Sequence, residues 1–311
     1  MTMAWAMLLP LAASAVMWAS ATSLGSSLPP ATAVRLLTAT MLVTALGTGF
    51  VLAVAAFTVL AQLPTIAALG RWSVEVLRTG DPISVSAGVA AGVTVVTLLT
   101  AATQRALASG RDLIRSAVLC RRLGPAAAGL VVVADDTPDA YALPGLGGRI
   151  VVSTAMLQAL PADERAVLLA HETAHLAKHH HAYLLIAGLA AAANPMLRPS
   201  AHVVRQAIER WADEIAAAEV GDRALAARAL ARAGLARGAV QRHDLAVALG
   251  GADASVANRA RALLAAPPAP RPLLAAALAV LLLVVISASA VTARDTEARF
   301  EMAQKAYSAW R

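Results

Sequence analysis

Cys120 is the only cysteine in the 311-residue chain. That excludes an intrachain disulfide and any zinc site built from several cysteines. Lysine is nearly as scarce: Lys178 and Lys305 stand alone, so the net charge of +7 comes almost wholly from arginine. Aromatic residues make up only 4% of the chain. Basic groups without interleaved aromatics argue against a nucleic-acid partner. Charge itself is thin, and Arg35 is the single charged side chain between residues 3 and 69. Apolar residues fill the gap, at 59% of the chain. The mean hydropathy of +0.65 lies above the range of soluble domains. An integral membrane protein is expected, and the abundance of alanine and arginine suits a GC-rich bacterial genome.

Three uncharged stretches precede residue 104. Residues 3–24 lack the basic start of a secretion signal, so they read as a first membrane helix rather than a cleaved peptide. Residues 36–60 read as the second, inside an uncharged run that continues to residue 69. Residues 83–103 read as the third, rich in the small residues that let helices approach closely in lipid. A fourth span is expected over 272–293, after a stiff proline-rich linker at 266–270, with 294–311 left as a short extracytoplasmic tail. Arg105, Arg111, Arg115, Arg121 and Arg122 follow the third span, and the positive-inside rule sets that end in the cytoplasm. The N-terminus is then outside, and residues 104–271 form a cytoplasmic domain of a multi-pass protein of the bacterial inner membrane.

In that domain Leu130–Val133, Ala140–Leu143 and Arg149–Ser153 read as strands. The glycines between Gly145 and Gly148 lack the lysine and hydroxyl residue of a phosphate loop. They read as a tight turn exposing the edge of the following strand to an added peptide strand, or simply as a hairpin. Residues 154–160, 222–237 and 254–264 read as helices, with Arg223, Arg228, Arg232 and Arg237 on a solvated face or against lipid headgroups. The apolar stretch 182–193 is too short to span a bilayer, and is expected to be buried, re-entrant or interfacial.

The strongest chemical signal is His171-Glu172-Thr173-Ala174-His175. Histidines four apart share one face of a helix and can grip one ion, and the adjacent Glu172 can reach a water in the ion's open position. The preceding Pro161, Asp163 and Glu164 are a fitting helix start. A third ligand is needed, and Glu209 can supply it from a second helix, with Asp213 one turn on placed to orient a ligand imidazole. His179 lies two turns from His171, about 12 Å along a straight helix, too far to share the ion. His181 has the spacing of a third histidine, but Lys178 stands where that pattern needs a glycine to turn the chain. His202, Arg205 and Tyr141 are candidates for stabilising a developing oxyanion. One zinc ion per chain is inferred from the ligand types. A metallopeptidase is the first functional reading. The alternative is a non-catalytic membrane signalling or scaffold protein whose zinc is structural, which requires a fourth protein ligand. A transporter is disfavoured, because the spans carry almost no ionisable residue.

These residues resemble the BlaR/MecR-type antirepressor metallopeptidases, and share much with the HtpX and CAAX-prenyl endopeptidase group. The resemblance rests on Ala140 to Gly145, Arg149–Ser153, the motif at 171–175, and Glu209 with Asp213, and covers roughly residues 125–220. It implies a gluzincin: mainly α, about four transmembrane helices and a cytoplasmic α+β zinc domain. It implies zinc on His171, His175 and Glu209, and Asp213 as orienter of a zinc histidine. It also implies peptide-bond hydrolysis of a cytoplasmic protein in regulatory signalling, with a BlaI-type repressor as one such substrate. The expected partners are that protein and the lipid bilayer; a homo-oligomer is compatible with both. After the last span only the short tail follows, where β-lactam sensors carry a penicillin-binding domain, so direct β-lactam sensing is not expected.

Overall fold

The computed structural model describes residues 3–79, 83–124, 129–145, 147–244 and 249–309, the side chains of 239–254 excepted. The chain opens with α1 (Met3–Ser27) and α2 (Pro30–Leu60), the latter starting on a proline whose fixed φ suits the first helical position. Two short helices follow, α3 (Pro64–Gly70) and α4 (Val74–Thr79), and then α5 (Val85–Arg122), whose N-terminus is capped by the Ser84 hydroxyl. A three-stranded sheet comes next: β1 (Leu130–Val133), β2 (Ala140–Leu143) and β3 (Arg149–Ser153), in spatial order β1-β3-β2. The rest is helical: α6 (Thr154–Ala159), α7 (Ala162–Ala177), α8 (His180–Ala193), α9 (Arg198–Val220), α10 (Arg223–Asp244), α11 (Leu249–Leu264) and α12 (Pro272–Ala309).

Four of these helices, α1, α2, α5 and α12, are long and apolar enough to cross a membrane. They do not stop where the apolar runs stop. The third expected span ends near residue 103, yet α5 runs on to Arg122, and α12 continues through the polar residues after 293. The added residues are mostly good helix formers with no proline among them, so nothing ends the helix at the edge of the apolar segment.

The glycine turn does make a hairpin, but it does not expose the edge of the strand after it. β3 is central, paired antiparallel to β2 and parallel to β1. The edges are β1 and β2, because β3 inserts between them and β1 covers the side that local sequence leaves open.

Helices α8 and α9 form a hairpin that shares a core with the apolar helices. Ala187, Ala190, Val204 and Ile208 of the hairpin are buried together with Met17, Leu37 and Met41 of α1 and α2. At its tip Asn194 donates to the hydroxyls of Ser14 at 2.8 Å and Thr48 at 3.4 Å, in the middle stretches of α1 and α2. The stretch 182–193 is thus covered by apolar helices, the only neighbours that can bury a segment apolar on nearly every face. The remaining helices, α10 and α11, close over α7 and α9 through a cluster of Val167, Ala170, Ala216, Ala226 and Leu263. The arginines of α10 mostly tie it down rather than face solvent or lipid: Arg223 pairs with Glu214, Arg232 with Glu164 at 3.3 Å, and Arg237 with Asp139 at 3.2 Å. Arg228 and Arg232 are exposed, Arg232 while still paired with Glu164.

At the far end of the bundle, Phe57, Trp72 and Phe300 pack together, and the Ser73 amide donates to the Ala303 carbonyl at 2.9 Å. The end of α12 is thereby docked on α3 and α4, away from the sheet.

Candidate metal centre

Helix α7 carries His171 and His175 on one face, and their Nε2 atoms lie 3.1 Å apart. Glu209 of α9 faces both, its carboxylate oxygens 3.8 Å from His171 Nε2 and 3.9 Å from His175 Nε2. One ligand atom from each of the three falls within 4.8 Å of the others, so the group could hold a single metal ion. Asp213, one turn beyond Glu209, places its carboxylate 3.0 Å from His171 Nδ1.

The chain leaves α7 through His179, which adopts a left-handed conformation at φ 52°. No glycine is needed for that turn: histidine is among the non-glycine residues that enter this region more readily. The turn starts a new helix and brings His180 back beneath His175. His181 lines the same cavity as this candidate metal-holding group but is not part of it.

Sequence reasoning missed two residues. Arg259 reaches in from α11 and clamps Asp213 with two hydrogen bonds, Nε to Oδ2 at 2.8 Å and Nη2 to Oδ1 at 2.7 Å. Its remaining nitrogen sits 3.1 Å from Glu209 Oε2. The signal was present in principle, because two carboxylates one turn apart on a partly buried face need a counter-cation; which of the downstream arginines supplies it is decided by the fold. The second is His180, whose Nδ1 lies 3.0 Å from His175 Nδ1.

Electrostatics follow from this packing. Burial alone would lower the His171 pKa, but the hydrogen bond and charge of Asp213 outweigh it and hold the imidazole above its usual value. His175 has burial and the neighbouring His171 acting together, and falls to about 4. Burial would raise the Asp213 carboxyl, yet Arg259 and His171 keep it below the usual carboxylate range. Glu172 is pushed up, chiefly by burial.

A cavity of about 380 Å³ opens over these groups. One wall is the β2 edge, with Tyr141 and Ala142; another is the small apolar face of α10, with Ala229, Leu230 and Ala233. Tyr141 is therefore beside the site. His202 and Arg205 are not among the residues lining the cavity, and the His202 ring instead contacts the Gln206 amide at 2.9 Å.

Residues 112–266 match the model of peptidase family M48. The match runs from within α5 to just past α11, so it spans the sheet, the paired histidines, Glu209, Asp213 and Arg259. It implies a zinc metallopeptidase and supports a gluzincin membrane family. No curated protein and no solved structure matches the chain.

The donor set fits the ion that an M48 peptidase carries. Each of the two histidines has its Nδ1 engaged, by Asp213 or by His180, which leaves both Nε2 atoms for a metal. Their 3.1 Å separation is close to the ~3.3 Å expected between two nitrogens at ~2.05 Å from one tetrahedral ion.

Proposed function

We propose that the chain is a membrane-bound zinc endopeptidase that cleaves a cytoplasmic protein. The observation that carries this reading is the convergence of His171 Nε2, His175 Nε2 and the Glu209 carboxylate at the floor of a cavity walled by a strand edge. Among the described residues the group offers three ligands, which suits a catalytic site with one position open to water better than a closed structural one.

In this reading His171, His175 and Glu209 hold zinc. Zinc bound there supplies a Lewis acid that makes water acidic near neutral pH and polarises the scissile carbonyl. Glu172 takes a proton from the attacking water and passes it to the departing amine. Its raised pKa brings it closer to the range in which one carboxylate can do both. Asp213 fixes the tautomer and orientation of His171, and Arg259 fixes Asp213. Tyr141, from the cavity wall, is the candidate for steadying the developing oxyanion.

The substrate peptide lies along β2, the edge strand lining the cavity. The arginines at the end of α5 support a zinc domain in the cytoplasm of a bacterial cell, with the α8–α9 hairpin re-entrant from that side. The likeness of motif and arrangement to BlaR/MecR-type proteins supports a regulatory substrate, with a repressor of the BlaI type as the specific proposal.

The deciding test is Glu172→Gln in full-length protein. Zinc content should stay at one ion per chain while cleavage of a peptide library or candidate repressor is lost. Retained proteolysis in that variant would refute the assignment.

A further inference from the structure

We infer that His180 is a positioning residue for the metal ligand His175, and that it fixes that ligand from the membrane side of the site. This rests on the zinc-peptidase reading above.

The two ligand histidines are supported differently. His171 leans on a carboxylate that a guanidinium clamps. His175 has no carboxylate at its Nδ1; it meets the Nδ1 of another imidazole at 3.0 Å. Two Nδ1 atoms at that distance share one hydrogen, so one donates and the other accepts. If His175 gives its Nε2 to an ion, its own Nδ1 must carry the hydrogen. His180 is then the acceptor, and its hydrogen sits on Nε2.

That arrangement has a visible cost. His180 is fully buried, and among the described residues its Nε2 has no hydrogen-bond partner. Burying a polar atom without a partner opposes folding, and a leucine or phenylalanine would fill the same space without that penalty. What histidine offers here, and those residues do not, is an acceptor aimed at His175. The ring is held in turn by Trp211, with centroids 4.9 Å apart, and Trp211 carries the Arg35 guanidinium 5.0 Å above its ring. Arg35 belongs to α2 and His180 opens α8, so the support for His175 is built from the apolar bundle, not from α7.

The test compares His180→Leu with His180→Asn in the full-length protein in detergent. Asparagine Oδ1 takes the place of histidine Nδ1 and can accept the same hydrogen; leucine keeps the bulk without the acceptor. Zinc affinity is read by competition with a chromophoric chelator, and site geometry by the visible spectrum of the cobalt-loaded protein. His180→Leu should lose roughly 10–100-fold in affinity, the usual range for ligand-orienting partners. Its metal-free form should melt no lower than wild type. His180→Asn should stay within about threefold of wild type and keep the cobalt spectrum, as expected of a retained orienting acceptor. If His180→Leu does not fold, His180→Phe replaces it. Wild-type affinity in the acceptor-less variant, or equal losses in both variants, overturns the inference. Wild-type protein that takes up no metal would overturn the zinc reading itself.

Discussion

Replacing Arg259 by methionine should destabilise the metal-free protein far more than the zinc-loaded one. The Asp213 side chain is 5% exposed, and both its oxygens are held by Arg259. Removing one partner of such a pair strands a charge in a poorly solvated site and costs about 3–5 kcal/mol. The third contact, to Glu209, adds little, because that carboxylate is 36% exposed and water screens it. His171 remains 3.0 Å from Asp213 and recovers part of the loss, which sets the expectation near the low end, about 3 kcal/mol. For a domain of this size that corresponds to a fall in melting temperature of roughly 6–12 °C. With zinc bound, Glu209 has a cation of its own and the ion's charge helps compensate Asp213 through His171, so the fall should be clearly smaller. Thermal melts of full-length protein in detergent, with chelator and with saturating zinc, read both numbers. Adding Asp213→Asn to Arg259→Met should return part of the metal-free loss, because the stranded charge is gone. A metal-free shift under about 2 °C, or equal shifts in the two states, would refute the reasoning.

The remaining expectations can be checked on the same preparation. Near pH 5.5, zinc uptake should release about one proton, from His171, whose pKa stands above its usual value, and almost none from His175, at about 4. Calorimetry in buffers of different ionisation enthalpy counts the protons, and two or zero would contradict the picture. In metal-free protein the raised His171 pKa contributes stability present below about pH 6.5 and lost as pH rises through the folded value. The lowered Asp213 pKa contributes stability present above about pH 4 and lost as pH falls through its own folded value. His175, with its lowered pKa, costs stability as pH falls from about 6.5 toward 4, opposing His171. With saturating zinc both histidines stay deprotonated in the folded protein while the unfolded chain still protonates them, so melting temperatures at pH 5 and 8 should differ more than without metal. Asn194→Ala removes three hydrogen bonds at the hairpin tip, two given to hydroxyls and one accepted from the Met196 amide, and should cost about 1–2 kcal/mol in unfolding, with an unchanged melt as the contrary result.

Much of this architecture was legible in the chain. Uncharged runs marked the four apolar helices because lipid excludes charge, and that rule needs no tertiary knowledge. The pairing of His171 with His175, and of Glu209 with Asp213, was legible because helical spacing fixes which side chains share a face; that the two pairs meet was expected from the need for a third ligand and from the family resemblance. The residues that were not legible act across large separations or through local exceptions. Arg259 lies 46 positions from its partner Asp213, and in sequence it resembles any arginine on an alanine-rich helix. His179 makes the turn that the missing glycine at position 178 had argued against, so the bend after α7 was not anticipated. The central place of β3 depends on β1 returning beside it, a pairing that alternation within one strand cannot encode.

The common core of α1, α2 and the α8–α9 hairpin bears on how this protein can be handled. A fragment trimmed to residues 104–271 would keep Ala187, Val204 and Ile208 but lose Met17, Leu37 and Met41, which cover them. It would also lose Arg35, and with it the outer brace of Trp211. Such a fragment would present a contiguous greasy flank to water and aggregate rather than stay in solution. The long apolar helices are accordingly part of the folding unit that shapes the histidine pair, not a tether that excision could discard.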